Sequence, residues 1–274
     1  MAILKKIVSA LIIPLTLSLI LHSTLSVAGA SNLSETYTAA GETVPVDGRS
    51  EEKTAFLKMT REKLVYTLYW LGIYVGHAEL EAFSNKGKVT IISRVHSAPL
   101  ISAFYKVDDY AESTVVGGAP VKFRIKQHEG RYRSDKETVF DPVKRQITFF
   151  NYLKGTTDNH PMNVSKVWDL ISGFYYLRTQ PVKVGETIYI DVFDSNKFFR
   201  AEVKVMGKER IILSKTDKVD TVKVKSVIKS EGLFQSSGDV LIWLSDDNSN
   251  TPVKIETQVP IGNVVAVLKS QKTE

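Results

Sequence analysis

Residues 121–126, Val121-Lys122-Phe123-Arg124-Ile125-Lys126, alternate an apolar side chain with a basic one at every step. A period of two puts the three apolar groups on one face of an extended chain and the three cations on the other, as in a strand with one buried and one wetted face. Val203-Lys204-Val205 and Val222-Lys223-Val224-Lys225 repeat the pattern downstream. Outward from these stretches, short runs rich in β-branched and aromatic residues recur with turn-forming residues between them. The expected strands are 62–71, 73–82, 88–96, 110–116, 121–128, 132–140 and 146–151, then 187–193, 198–206, 211–214, 221–228, 240–244, 253–258 and 263–269. Gly117-Gly118 ahead of Pro120, Asp194-Ser195-Asn196 and Asp246-Asp247-Asn248 supply tight hairpin turns. In the first strand Leu64, Leu68 and Trp70 alternate with Val65, Tyr69 and Leu71, so both of its faces are expected to need cover.

The period changes only once at length. Val164, Val167, Leu170, Ile171, Phe174, Tyr175 and Leu177 recur at three- and four-residue intervals, with Pro161 before them and Pro181 after. This spacing predicts one amphipathic helix over residues 164–177, with Gly173 as its weak point unless a neighbour packs closely there. A shorter helical turn is expected over residues 99–105, and a loop over 155–163. The fold class is therefore mainly β: a large curved antiparallel sheet or partly open β-barrel, with the helix packed on it or across it.

The 274 residues contain no cysteine, which excludes disulfides, thiolate metal sites and a Cys nucleophile. Lys5 and Lys6, the apolar run from Ile7 to Leu21 and Ala28-Gly29-Ala30 form the three zones of a secretory signal. Cleavage is expected after Ala30, leaving a periplasmic protein with no spanning membrane segment. An uncleaved anchor is disfavoured because the run is shorter than the roughly 20 residues that cross a bilayer and contains Pro14. Residues 31–59 are expected to be a flexible N-terminal segment, and residues 60–270 a single β-rich domain. The formal charge of +6 falls to +4 without Lys5 and Lys6. The cations are spread along strands rather than gathered among aromatics, so no nucleic-acid partner is expected.

Signals of catalysis are poor. His77, His96, His128 and His160 lack the spacing of a zinc-binding pair, and Asp158-Asn159-His160 reads as a turn rather than a metal site. Neither a G-x-S-x-G elbow nor a P-loop occurs, and Asp108 and Asp109, as adjacent strand residues, point to opposite faces. No cofactor, metal ligand or catalytic residue is assigned. Hydrolysis of an envelope polymer stays open, to be decided by whether two carboxylates face one cleft. What stands out is apolar: Trp70, Trp168, Ile171, Phe174, Tyr175 and Trp243 are the candidate lining of a greasy cavity under the helix, the plainer alternative being that they fill the core.

Several blocks occurring in order are similar to those of the domain-of-unknown-function family 3108, exported envelope proteins of Gram-negative bacteria. They are Glu62-Lys63-Leu64-Val65-Tyr66, Trp70-Leu71-Gly72-Ile73, Gly76-His77-Ala78, Phe104-Tyr105-Lys106-Val107-Asp108-Asp109, Tyr175-Tyr176-Leu177-Arg178, Asp191-Val192-Phe193-Asp194 and Pro260-Ile261-Gly262. This resemblance implies the compartment and the domain extent but no catalytic residues. Ile242-Trp243-Leu244-Ser245-Asp246-Asp247 with Thr251-Pro252-Val253-Lys254-Ile255 resembles a strand, acidic turn and Pro-led strand of lipoprotein-carrier-like half-barrels, in which the sheet wraps helices around an acyl-binding cavity. The expected function is non-enzymatic binding of a lipidic or other apolar envelope ligand, as a carrier or assembly factor. The alternative is an envelope scaffold that engages a protein partner through an exposed sheet edge. A transmembrane barrel is disfavoured by the charges in most strands.

Overall fold

In the computed structural model the described residues are 60–214, 217–229, 240–259 and 262–274. The expected signal, 1–30, and the expected flexible segment, 31–59, lie outside them. Fourteen strands form one antiparallel sheet. The first eight are β1 (Arg61–Trp70), β2 (Ile73–Asn85), β3 (Lys88–Ser97), β4 (Asp108–Val116), β5 (Ala119–Glu129), β6 (Tyr132–Asp141), β7 (Gln146–Asn151) and β8 (Thr156–Pro161). The other six are β9 (Thr187–Asp194), β10 (Lys197–Ile212), β11 (Lys218–Lys229), β12 (Val240–Ser245), β13 (Pro252–Gln258) and β14 (Asn263–Thr273). Two helices interrupt them, α1 (Pro99–Ser102) and α2 (Leu170–Thr179). The spatial order runs from β8 back to β1, across to β14, and down to β9, so β8 and β9 are the two edges.

Alternation sets which face is buried. In β1, Glu62, Leu64, Tyr66 and Leu68 are buried, while Lys63, Val65, Thr67 and Tyr69 are half-exposed. The outer face of β1 is thus only partly covered, in contrast to the expectation for a strand apolar on both sides. In β5, Phe123 and Ile125 point inward as their alternation predicts, but Val121 does not follow them: a register shift between Thr114 and Val115 in the β4–β5 pairing changes the phase, and Pro120 is the buried residue there. Five hairpins close with two-residue turns, among them Gly117-Gly118 and Ser195-Asn196, in which both central residues have positive φ. That geometry matches the right-handed twist of the flanking strands, so the turns help to curl the sheet.

The curled sheet encloses α2. Ile171, Tyr175 and Leu177 of the helix join inward residues from both halves of the sheet in a single core cluster. The helix starts at Leu170, six residues later than the spacing of Val164 and Val167 predicts. Asp169 is the reason: its Oδ1 accepts from the backbone N–H groups of Ile171 and Ser172 at 3.0 Å each, and the Ser172 hydroxyl answers to its backbone in a capping box. Upstream of that cap the chain is extended beside β9, where Trp168 N–H donates to Asp191 O at 2.9 Å and Phe193 N–H donates to Trp168 O at 2.8 Å. The helix ends at Thr179, ahead of Pro181. Gly173 is accounted for by close packing, since a Cβ there would lie 3.3 Å from Trp168 Cβ and 3.7 Å from Ile190 and Val192.

The two edges meet without a ladder. His160 of β8, expected in a loop, bonds through Nε2 to Asn196 Oδ1 at 2.6 Å, and Asn196 Nδ2 donates to Asp158 Oδ2 at 3.0 Å. The imidazole also packs on Phe193, 5.1 Å between ring centres. The wall is a barrel split along one line and held there by side chains and by the segment ahead of α2. The expected strands 198–206 and 211–214 are one strand, β10, carried through a register shift between Val205 and Gly207.

Candidate functional site

At the C-terminal end of α2 the barrel opens into a cavity of about 800 Å³. Its floor is Glu62, Tyr175 and Arg178, and its rim includes Val182, Asp247 and Gln271. Glu62 is the first inward position of β1, followed by Leu64, Tyr66 and Leu68, so a carboxylate enters the core by alternation alone. Arg178 lies three residues after Tyr175 and reaches the same side of α2. Its Nη1 donates to Glu62 Oε2 at 2.6 Å and its Nη2 to Glu62 Oε1 at 2.8 Å, a fork-to-fork pair with both side chains almost fully buried. Tyr175 donates its hydroxyl to Glu62 Oε2 at 3.2 Å, and the guanidinium lies 4.9 Å from the Tyr175 ring centre. Burial works to lower the Arg178 pKa, but the hydrogen-bonded Glu62 outweighs it and holds the guanidinium above its ordinary value. Burial pushes the Tyr175 phenol well up, so it stays a neutral donor. Arg178 Nε is buried without a hydrogen-bond partner.

The β12–β13 turn forms one wall of the cavity and fastens the helix end. Asp247 accepts from Ser249 N–H, Ser249 Oγ and Ser245 Oγ at 2.6–2.8 Å, and these donors outweigh burial and hold its pKa below the ordinary carboxylate value. Asn250 then donates to Arg178 O at 2.8 Å. Asp246 is paired with Lys208 at 2.7 Å. The carboxylates at this cavity thus each have a partner, and no pair of them is poised as acid and base. Among the described residues no group of three or more His, Asp or Glu side chains is arranged to hold a metal ion.

A second polar group lies inside the barrel toward its other end. Asp109 of β4, Gln127 of β5 and Ser134 of β6 sit side by side on the inner face, the last two directly paired. Asp109 Oδ1 accepts from His128 N–H at 2.8 Å, its carboxyl also faces Gln127 and the buried Glu129, and Gln127 Nε2 donates to Glu129 Oε1 at 2.9 Å. Burial pushes the Asp109 pKa up to about 6, and that of the fully buried Asp194 likewise up to about 6. As the sequence predicts, Asp108 faces the opposite way and is exposed.

This has a sign that can be measured. A carboxyl whose pKa is raised in the folded protein holds its proton more tightly there than in the unfolded chain, where it titrates near about 4. The two buried aspartates therefore cost nothing below that value. Their cost grows as pH rises from about 4 to about 6 and is complete above it. Asp109→Asn, which keeps an oxygen to accept from His128, is expected to raise the urea midpoint at pH 7.5 and leave it unchanged near pH 4. An equal midpoint shift at both pH values would show that the proton is not the cause.

The six aromatic and aliphatic candidates separate. Trp168, Ile171 and Tyr175 are buried at 1–2% exposure and fill the space under α2 with their own side chains, and only Tyr175 also borders the open cavity. Trp70 and Phe174 are partly buried against the same core. Trp243 is on the outer face: Ile242 and Leu244 point inward, while Trp243 bonds to Glu209 and lies beneath Lys223 and Lys254, 4.8 and 4.2 Å from its ring centre. It does not line the hollow, because strand neighbours alternate and an all-apolar run gives no phase. Glu62 and Arg178 carry no assigned role in the sequence. Their signals are a charge interrupting an otherwise apolar register, on β1 and on α2, and a place in two of the blocks that carry the family resemblance.

The comparisons accord with this architecture. Residues 65–269 match the family described as protein of unknown function, DUF3108. The chain belongs to the DUF3108 family. No curated protein matches it. Among solved structures it is similar to the crystal structure of a beta-barrel-like protein of the domain of unknown function DUF1849 from Brucella abortus. The TM-score is 0.57 at 9% identity, over 79% of this chain and 98% of the other. At that identity the likeness is one of fold, and this DUF3108 protein shares a barrel-like sheet with it.

Proposed function

We propose that this protein is a periplasmic, non-enzymatic binding protein for an amphipathic envelope ligand, held at the C-terminal end of α2. The observation that carries the proposal is the cavity of about 800 Å³ with Arg178 Nε buried and unpartnered at its floor. Ligand sites commonly measure about 300–1,000 Å³ and combine an apolar lining with a few placed polar groups. Here the polar end of a ligand meets Arg178 and Glu62, and its apolar part lies against Tyr175, Val182 and Val222. The space directly under the helix, the position expected from the sequence, is taken by Trp168 and Ile171, which moves the ligand to the helix end. With the carboxylates there already paired, holding fits the site better than turnover.

Native mass spectrometry of protein released by osmotic shock is expected to show an adduct of lipid mass. Val182→Trp, at a part-buried wall position, is expected to abolish the adduct without lowering the thermal midpoint. Bare mass for the unaltered protein, or an adduct that survives in the variant, would sink the proposal. The scaffold alternative relies on the β8 edge, where five of six residues are exposed. Asn196 already engages the side chains of Asp158 and His160 there, so a partner strand would have to displace those contacts. Crosslinking in cells that yields one dominant protein and no lipid would favour the scaffold.

A further inference from the structure

We propose that the end of the barrel opposite the cavity docks on an anionic lipid surface. β1, β3 and β5 finish at this end and β2, β4 and β6 begin there, so the β1–β2 turn, α1 and the β5–β6 turn lie side by side. Hydrogen bonds join them: Ala98 N–H donates to Val75 O at 2.8 Å, and Gly130 N–H donates to Lys106 O at 2.7 Å. The ring of Tyr105 fills the space at Gly130, where a Cβ would come within 2.7 Å of it. The three turns therefore form one continuous rim.

That rim presents large apolar side chains to water. Leu100 is 76% and Phe104 80% exposed, and Ile73 and Tyr74 beside them are 60% and 47% exposed. α1 buries none of its residues. Single exposed apolar residues are ordinary, but four together on adjoining turns form the kind of patch that marks an interaction surface. The charges around it select the partner. Lys106, Arg131 and Arg133 are exposed on the same turns, and Arg133 is held in place by the carbonyls of Gly130 and Tyr132, each at 2.8 Å. Asp108, 3.4 Å from Lys106, is the one exposed acid of these turns among the described residues, so a cationic excess remains. The next turn at this end repeats the combination, with Leu153 60% exposed and Lys154 beside it. Apolar tips flanked by cations fit a membrane surface of anionic headgroups, the tips entering the acyl boundary while the cations meet phosphate. The inference is independent of what the cavity holds.

The test uses protein from the soluble fraction after expression of the full chain, co-sedimented with vesicles of phosphatidylglycerol and phosphatidylethanolamine or of phosphatidylcholine alone. Unaltered protein is expected to pellet with the anionic vesicles, to remain in solution with the neutral ones, and to be released by 0.5 M salt at a Debye length below about 8 Å. Leu100→Ser/Phe104→Ser and, separately, Arg131→Glu/Arg133→Glu are each expected to weaken partitioning about tenfold or more. All four positions are exposed, so thermal midpoints should not move. Failure of the unaltered protein to pellet with anionic vesicles, or unchanged partitioning of both variants, overturns the proposal. The first result together with a protein crosslinked through Leu100 would assign the rim to a protein partner instead.

Discussion

Replacing Arg178 with Met is expected to lower the unfolding free energy by about 3–5 kcal/mol in urea denaturation at pH 7.5, because it strands a carboxylate inside the barrel. Glu62 is 3% exposed, and the two guanidinium bonds are the strongest it makes. Tyr175, with one hydroxyl at 3.2 Å, cannot replace a cation. Glu62→Met/Arg178→Met is expected to recover most of the loss, as buried ion pairs seldom outperform apolar residues of similar size. A double variant as unstable as the single one would show that the pair is needed for packing geometry and not for mutual neutralisation.

Trp168→Ala is expected to cost about 3–5 kcal/mol as well, through a different cause: the loss of a large buried aromatic and the void it leaves. Its indole is 2% exposed, stacks on Tyr176 with ring centres 4.6 Å apart, and lies under Lys166 Nζ at 4.8 Å. The Trp168 Cβ that crowds Gly173 at 3.3 Å is kept in this variant, so the loss is that of the indole alone. The effect should be local before it is global. Amide exchange of Phe193, which donates to Trp168 O, is expected to quicken well ahead of amides in β1, where both neighbouring strands are paired. Uniform acceleration across the sheet would argue that the split in the wall is no weaker than the rest.

Much of the architecture is legible in the sequence, because alternation is a local signal that burial enforces residue by residue. The hairpins after Val116 and Asp194 follow from Gly-Gly and Ser-Asn, residues that tolerate positive φ. What escapes is set by partners distant along the chain. β8, Thr-Thr-Asp-Asn-His-Pro, has no apolar face to reveal it, since it is an exposed edge held by its ladder with β7 and by polar bonds to Gln146, Thr148 and Asn196. Val164 and Val167 keep helical spacing yet lie ahead of the cap, because Trp168 pairs with β9 and Asp169 receives the first helical amides. The floor of the cavity depends on an ion pair spanning 116 residues, which no local pattern encodes.

A closed barrel is quantised: its strand count and shear together dictate its girth. This wall is an open sheet whose edges are pinned by Asp158, His160 and Asn196 and by the main chain of Trp168 on β9, with no ladder between β8 and β9. Its girth is therefore set by side chains and one short main-chain contact, not by the shear of a closed ladder.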